Sequence, residues 1–211
     1  MKPVNRWPCC LLAFGLWFLA SGCNLPIPQA QSDQTRYFLL TSAGISPDTS
    51  TTADLKRWVV GIRTVDVAAY LRTRSLAVRS HTNEIMFLDF TRWGEPLDQG
   101  ITRVLAENLQ SLRSVARVST PPFRADEPRD FEVLIRVTAC EGTTDGGVRF
   151  AATWRILASG PVPGTVAEGS YTAAGLRWDG HDHGQLVAKL SEALAGLSRE
   201  IGVALSRQPA G

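Results

Sequence analysis

The sequence predicts an α+β domain in which a mostly antiparallel sheet carries two main helices packed on one face. Apolar and polar residues alternate along 131–139 and 148–156, and the Asp145-Gly146 pair between these segments is typical of a hairpin turn. Apolar residues recur at helical spacing from Leu97 to Leu112 and from Leu186 to Leu205. A sheet and two helices that each have one apolar face are expected to bury those faces against one another.

Shorter patterns predict the strands that precede the first helix. Arg36–Thr41 is an apolar run suited to a first strand, and Trp58–Val67 has a composition typical of strands. Ser75–Ser80 and Glu84–Phe90 are separated by three polar residues, which favours a hairpin. Because Glu84–Phe90 is apolar on both faces, we expect this strand to lie in the centre of the sheet.

Local signals also indicate the helix starts and the last strand. Pro96 stands where a first helical residue is expected, because its missing N–H costs nothing there. Asp182, with Gln185 three residues later, resembles a capping box at the start of the second helix. Thr165–Ala174 is predicted to be a third strand that forms a meander with the two hairpin strands.

The first 22 residues have the three parts of a secretory signal peptide. Lys2 and Arg6 form the basic end, and Cys9–Ala20 is an apolar run of 12 residues, whereas a bilayer-spanning helix needs about 20. The segment Leu19-Ala20-Ser21-Gly22-Cys23 resembles the bacterial lipobox, although Ala20 stands where Leu is usual. We therefore expect cleavage before Cys23 and lipid attachment at its thiol, with ordinary secretion as the alternative.

This processing defines the domain organisation. We expect a signal peptide at 1–22, a lipidated Cys23 with a flexible tether at 23–35, a single domain at 36–207 and a C-terminal tail at 208–211. Asn24 follows the modified cysteine, where Asp would be the usual signal for retention in the inner membrane. The expected location is therefore the bacterial outer membrane, with the domain lipid-anchored and facing the periplasm.

The remaining cysteine has a structural interpretation. Cys9 and Cys10 leave with the signal peptide, so Cys140 is the one thiol of the mature chain apart from the lipidated residue. An internal disulfide is excluded if Cys23 is acylated. Cys140 is then expected to be a small side chain in or near the sheet.

Charge and motifs exclude several classes of function. The chain has a formal charge of +2, and removal of Lys2 and Arg6 with the signal peptide leaves 20 basic residues against 20 acidic ones. A nucleic-acid binder would show a strong basic excess. The sequence contains no nucleophile elbow, P-loop, dinucleotide fingerprint or H-E-x-x-H motif. We expect no enzyme activity and no cofactor.

The histidines give no strong metal signal. His181 and His183 flank Asp182 and could in principle hold a metal ion. Their position between Gly180 and Gly184 at a helix start instead favours a solvated cap, and we expect no metal site.

One long segment carries a family resemblance. Four features match: the early Tyr37-Phe38-Leu39-Leu40 strand, the Val-rich strand leading to Tyr70-Leu71, the Asn83-Glu84 turn into an aromatic strand, and Arg92-Trp93-Gly94-Glu95-Pro96-Leu97 opening a helix that ends at Leu105-Ala106-Glu107-Asn108-Leu109. The long helix around Leu194–Ile201 also fits. The sequence resembles the ABC-type transport auxiliary lipoproteins, the PqiC-like (YmbA-like) outer-membrane lipoproteins.

The resemblance implies a non-catalytic component of an intermembrane lipid-transport system that supports envelope integrity. In such systems an inner-membrane permease and ATPase, or a related membrane protein, work with an MCE-domain protein that bridges the periplasm. The lipoprotein docks this bridge at the outer membrane. Any ATP hydrolysis must come from a partner, and self-assembly of several copies is left open.

Two other functions stay open, as does the contact surface. One alternative is an outer-membrane assembly or lipopolysaccharide-insertion lipoprotein, and another is a periplasmic lipoprotein hydrolase. Arg92, Trp93 and Glu95 are candidates for the partner interface, since Trp and Arg are enriched in binding hot spots. The alternative is that Trp93 and Pro96 pack the strand–helix corner.

Overall fold

The computed structural model describes residues 33–42, 57–124, 126–160 and 164–209. The predicted signal peptide, Cys23 and most of the tether lie outside these residues, so their assignment stays a prediction. Within the chain, Gln34–Gly211 forms one compact unit. The predicted strands and helices occur in the predicted order, but the stretch 58–67 contains two strands, and the 3-10 helix at Ala69–Leu71 and the strand at Val115–Ser119 were not predicted.

The described chain contains nine strands, two α-helices and a short 3-10 helix. In sequence order these are β1 (Arg36–Phe38), β2 (Trp58–Ile62), β3 (Asp66–Val67), the 3-10 helix (Ala69–Leu71), β4 (Ser75–His81), β5 (Glu84–Trp93), α1 (Leu97–Gln110), β6 (Val115–Ser119), β7 (Phe131–Thr143), β8 (Val148–Ala158), β9 (Gly164–Thr172) and α2 (His183–Ser206). The described helices are not long and apolar enough to cross a membrane.

The central strand is β7, which has 13 residues. One edge of β7 pairs with β8, and β8 pairs with β9, both antiparallel. The other edge pairs in succession with β2, β3 and β4, all parallel. Beyond these strands the sheet continues to β6 on one side and through β5 to β1 on the other.

The α+β class and the two helices on one face are confirmed, but the prediction of a mostly antiparallel sheet is wrong. The sheet is mixed: β1–β5, β2–β6, β2–β7, β3–β7 and β4–β7 are parallel pairs, whereas β4–β5, β7–β8 and β8–β9 are antiparallel. Both predicted hairpins form. The parallel pairs join segments that are distant in sequence, and alternation of apolar residues says nothing about strand direction.

The prediction of a central position for Glu84–Phe90 is also wrong. Strand β5 is second from the edge, and β1 covers it only along Thr91–Trp93. Burial of both faces in the centre of the sheet therefore does not explain why residues 84–90 are apolar on both faces.

Helix α2 begins with the cap that the sequence predicts. The carboxylate of Asp182 accepts a hydrogen bond from the backbone N–H of Gly184 at 2.8 Å. Gln185 does not complete a capping box, because its side-chain oxygen accepts from the backbone N–H of Asp179 instead. At α1, Pro96 is the N-cap residue and Leu97 the first helical residue.

The two helices pack on each other and on the same face of the sheet. A fully buried Asn108 donates to Ser198 Oγ at 3.2 Å and accepts from Ser42 Oγ at 2.6 Å. Buried polar groups are costly unless they are paired. These hydrogen bonds therefore fix α1, α2 and the chain after β1 in one arrangement. Gly142 lets Leu186 and Trp178 approach β7 closely.

Candidate docking surfaces

The predicted interface residues Trp93 and Glu95 have internal partners. Trp93 is 4% exposed and lies in the core, as the corner-packing alternative requires. Glu95 accepts a hydrogen bond from the Arg103 guanidinium at 2.5 Å. This bond is the main cause of the raised pKa of Arg103. Arg103 also donates to the carbonyl of Leu40, so the pair ties the start of α1 to the chain after β1.

Arg92 is placed differently from Trp93 and Glu95, the other two predicted interface residues. Since Trp93 faces the core and side chains alternate along a strand, Arg92 points to the face of the sheet opposite the helices. Its guanidinium donates to Ser75 Oγ, and the side chain is half-buried. Tyr37 is its neighbour on β1. Of the three predicted interface residues, Arg92 is the one that offers its side chain on the open face.

Exposed apolar side chains occur along β5 and in and just after β1. We name this set the edge patch; its members are Tyr37 (62% exposed), Leu39 (52%), Met86 (41%), Phe87 (44%) and Phe90 (62%). It exists because β1 is only three residues long and pairs with β5 along Thr91–Trp93. In the described part of the chain, no strand covers the outer edge of residues 84–90.

A bulge in β5 contributes to this exposure. Arg92 is paired with Ser75 and Phe87 with Ala77, so four residues of β5, Leu88–Thr91, lie opposite the single residue Leu76. Bulges interrupt the ladder and re-aim side chains. Phe90 lies within this bulge and is among the most exposed aromatic residues described.

A second surface is an open groove of about 1090 Å³, which we name the sheet groove. Its walls include Arg63, Arg136, Arg155, Leu134 and Phe123. Val133 and Val137 are buried on the opposite side of β7, so the groove lies on the face of the sheet away from the helices.

Charges in the sheet groove are largely balanced. Arg63 pairs with Glu132 at 3.3 Å, and Arg136 lies 3.6 Å from Asp66. Arg155 is opposite Glu168 in the β8–β9 ladder. A mixed surface of apolar and paired charged groups is typical of protein–protein contacts.

The His181–His183 segment forms a helix cap. The Asp179 carboxylate accepts from the backbone N–H groups of His181 and Asp182, which lowers the pKa of Asp179. His183 lies against Thr91 at 3.1 Å, and its pKa is lowered by burial and then by the charge of Arg36. Among the described residues no group of three or more metal-ligating side chains occurs.

The buried carboxylate of Glu141 was not predicted from the sequence. Its side chain has no exposed surface, yet it binds Arg79 at 2.8 Å and the Tyr70 hydroxyl at 2.5 Å. Burial, followed by the bond to Glu141, raises the pKa of Tyr70. The signal in the sequence was an acid inside an apolar strand, next to Cys140. Burial also raises the pKa of the Cys140 thiol, as expected for a structural cysteine in the sheet.

Comparison with known proteins gives one family match. The family model described as the ABC-type transport auxiliary lipoprotein component matches residues 38–202. Among curated proteins, none matches the sequence.

Two solved structures share the fold. One is a Xanthomonas campestris protein of the family DUF330, with a TM-score of 0.66 and 16% identity, covering 80% of this chain and 93% of that one. Another, solved as an uncharacterized protein, has a TM-score of 0.59 and 18% identity, covering 80% of this chain and 97% of that one. At such identities the likeness shows the fold alone.

Proposed function

The chain belongs to the family of ABC-type transport auxiliary lipoprotein components, and from this membership we propose that it docks a periplasm-spanning partner of a lipid-transport system at the outer membrane. The single observation that carries the proposal is the family match over residues 38–202. The partner is an MCE-domain protein linked to an inner-membrane permease and ATPase or a related membrane protein. The role of this chain is non-catalytic.

The proposed anchor is the acylated thiol of Cys23. Twelve residues separate Cys23 from Arg36, the first residue of β1, and an extended chain of that length spans at most about 40 Å. The domain is then held close to the membrane surface, which raises its effective concentration toward a partner that reaches the same membrane.

The open face of the sheet is the proposed contact with the partner. Arg92 and the sheet groove both lie on the face away from the helices, and arginine is enriched at interface centres. In this proposal Arg92 makes the contact, whereas Trp93 and Glu95 hold the corner that positions it, through core packing and the bond to Arg103.

The docking proposal is tested by site-specific photocrosslinking in cells. A photoreactive amino acid replaces Arg92, and the matched control replaces Glu192, whose exposed side chain lies on α2. We expect the Arg92 position to crosslink to an MCE-domain protein and the Glu192 position to yield little or none. Recovery of a β-barrel assembly protein alone would overturn the proposal in favour of the assembly lipoprotein.

The anchor is tested separately by palmitate labelling. Wild-type protein is expected to take up label, and the Cys23→Ser variant to take up none. Label that persists in the variant would show that a different residue is modified.

A further inference from the structure

The edge patch lies at the point where the tether joins the domain. Strand β1 runs parallel to β5, and its first residue, Arg36, is paired with Thr91. Because the strands are parallel, the described residues 33–35 that precede Arg36 lie on the side of Phe90 and the β4–β5 turn. The exposed Phe90 is therefore on the side of β1 at which the described end of the tether joins the domain.

We propose that the edge patch rests on the phospholipid surface in which Cys23 anchors the chain. This inference depends on the lipidation proposed above, but not on the identity of the docking partner. It assigns the patch a membrane contact and leaves the sheet groove and Arg92 for the protein partner.

The length of the tether permits this contact. From Thr91 to Glu84 the strand extends about 23 Å, at roughly 3.3 Å per residue. The 12 residues between Cys23 and Arg36 reach about 40 Å when extended. The anchor can therefore enter the membrane while the whole length of β5 lies along its surface.

The chemistry of the patch fits the interfacial zone of a bilayer. Tyrosine is enriched at the level of the headgroups, where its ring is apolar and its hydroxyl is wet, and phenylalanine is typical of the apolar face of interfacial segments. Arg36, which lies 5.1 Å from the Phe38 ring, and Arg74, whose carbonyl accepts from the backbone N–H of Trp93 on β5, are both exposed. Their long side chains can bind lipid phosphates while their stems cover apolar surface.

The hairpin tip determines the orientation of this contact. The turn between β4 and β5 contains Thr82 and Asn83, and His81 lies 3.0 Å from the Glu84 carboxylate. A polar tip opposes insertion of the hairpin end first, since polar groups are costly in the hydrocarbon core. The contact is therefore side-on, with the rings at the interface and the tip in water.

The bulge in β5 argues against a protein strand as the occupant. An added strand needs a regular row of backbone groups along the edge, and the Leu88–Thr91 bulge distorts β5 next to the start of β1. A lipid surface needs exposed side chains and no backbone register.

The test uses the complete lipidated protein in vesicles of phosphatidylethanolamine and phosphatidylglycerol whose acyl chains carry bromine, which quenches tryptophan. Phe90→Trp and Tyr37→Trp place reporters in the patch, and Val203→Trp is the control, since Val203 is an exposed apolar residue of α2. Wild-type protein supplies the background from the buried tryptophans.

We expect quenching and a blue shift for both patch reporters and neither effect for the control. If the protein is acylated but tryptophan emission is equal at the patch and control positions, the membrane contact of the patch is overturned and the proposed anchor is not. A blue shift that vanishes when each vesicle holds one molecule would identify a second copy as the occupant and would also overturn it. Mass spectrometry that finds Cys23 unmodified would overturn the proposed anchor instead.

Discussion

The carboxylate of Glu141 shows how one residue joins three elements. It lies on β7 with no exposed side-chain surface and binds Arg79 of β4 and Tyr70 of the 3-10 helix. A charge can be buried in this way only when its partners replace water. The network therefore fixes the crossover between β3 and β4 against the central strand.

Glu141→Gln is expected to destabilise the fold strongly. The substitution removes the charge that compensates Arg79, and breaking a buried pair from one side costs about 3–5 kcal/mol. The control is Glu192→Gln, which breaks an exposed pair with Lys189 and is expected to cost less than about 1 kcal/mol. Urea unfolding followed by tryptophan fluorescence gives both values, and similar losses would contradict the assigned role.

The Cys140 thiol is expected to be inert in the folded protein. It is buried, and burial raises its pKa, so the reactive thiolate does not form at neutral pH. Iodoacetamide at pH 8 should leave the folded protein unlabelled and should label it rapidly in concentrated urea. Equal labelling rates in the two states would show that the thiol is accessible.

His183 is expected to make stability depend on pH. Its pKa is lowered in the folded state by burial and by Arg36, so below about pH 6.5, the usual pKa of histidine, the unfolded chain binds the proton more readily. Stability then falls as pH decreases from 7 to 5. His183→Gln should weaken this decrease in melting temperature, and parallel curves for the two proteins would contradict the assignment.

At the scale of elements, β8 and β9 are held together by a close approach that only glycine permits. Gly169 on β9 lies beside the Trp154 ring, where an added Cβ would be 2.6 Å from Cζ2. Trp154 in turn donates to Glu200 of α2 at 2.8 Å. The glycine thus lets the Trp154 ring approach β9 closely while its indole N–H bonds to α2.

Gly169→Ala is expected to destabilise the domain by about 1–3 kcal/mol, the usual cost of overpacking. Gly164→Ala is the matched control on the same strand, because a Cβ there meets nothing within 4 Å. We expect the control to be neutral or slightly stabilising, since alanine restricts the unfolded chain. Equal effects in thermal unfolding would remove the Trp154 contact as the cause.

At the scale of the whole molecule, the charge balance of the mature chain matters. If residues 1–22 are removed as proposed, 20 basic and 20 acidic residues remain, so the chain has no large net charge to steer a partner from a distance. Under the proposed function, encounter depends on confinement at the membrane and on local surfaces.

Sorting between membranes tests the proposed location. Asn24→Asp is expected to move the protein from the outer-membrane fraction to the inner-membrane fraction, because Asp after the lipidated cysteine is the usual retention signal. Asn24→Gln is the control and should leave the distribution unchanged. Sucrose-gradient fractionation measures both, and inner-membrane wild-type protein would contradict the expected location.

Much of the fold followed from local patterns. Both hairpins, both helices and the Asp182 cap are confirmed, and the family resemblance drawn from Arg92–Leu97 and its surroundings is confirmed by the match over residues 38–202. These features depend on residues within a few positions of one another, which is the range over which helical and strand periods act.

The candidate contact surfaces could be predicted from the sequence less well than the fold. Trp93 and Glu95 were predicted from their residue types, but burial and the bond to Arg103 depend on elements far away in sequence. The apolar run 84–90 was predicted to be a central strand, but it lies second from the edge of the sheet. Apolar residues on both faces are equally consistent with a covered central strand and with an exposed docking edge.

The sequence by itself determined the α+β class, the helix and hairpin positions, the lipoprotein signal that we propose is used, and the family. Only the tertiary structure decided the direction and order of the strands, the burial of Glu141 and the exposure of the edge patch. The physical reason is that periodicity and capping are local, whereas pairing and burial depend on which distant segments meet. A three-residue β1 beside a ten-residue β5 leaves an edge uncovered, and only the paired sheet reveals that difference.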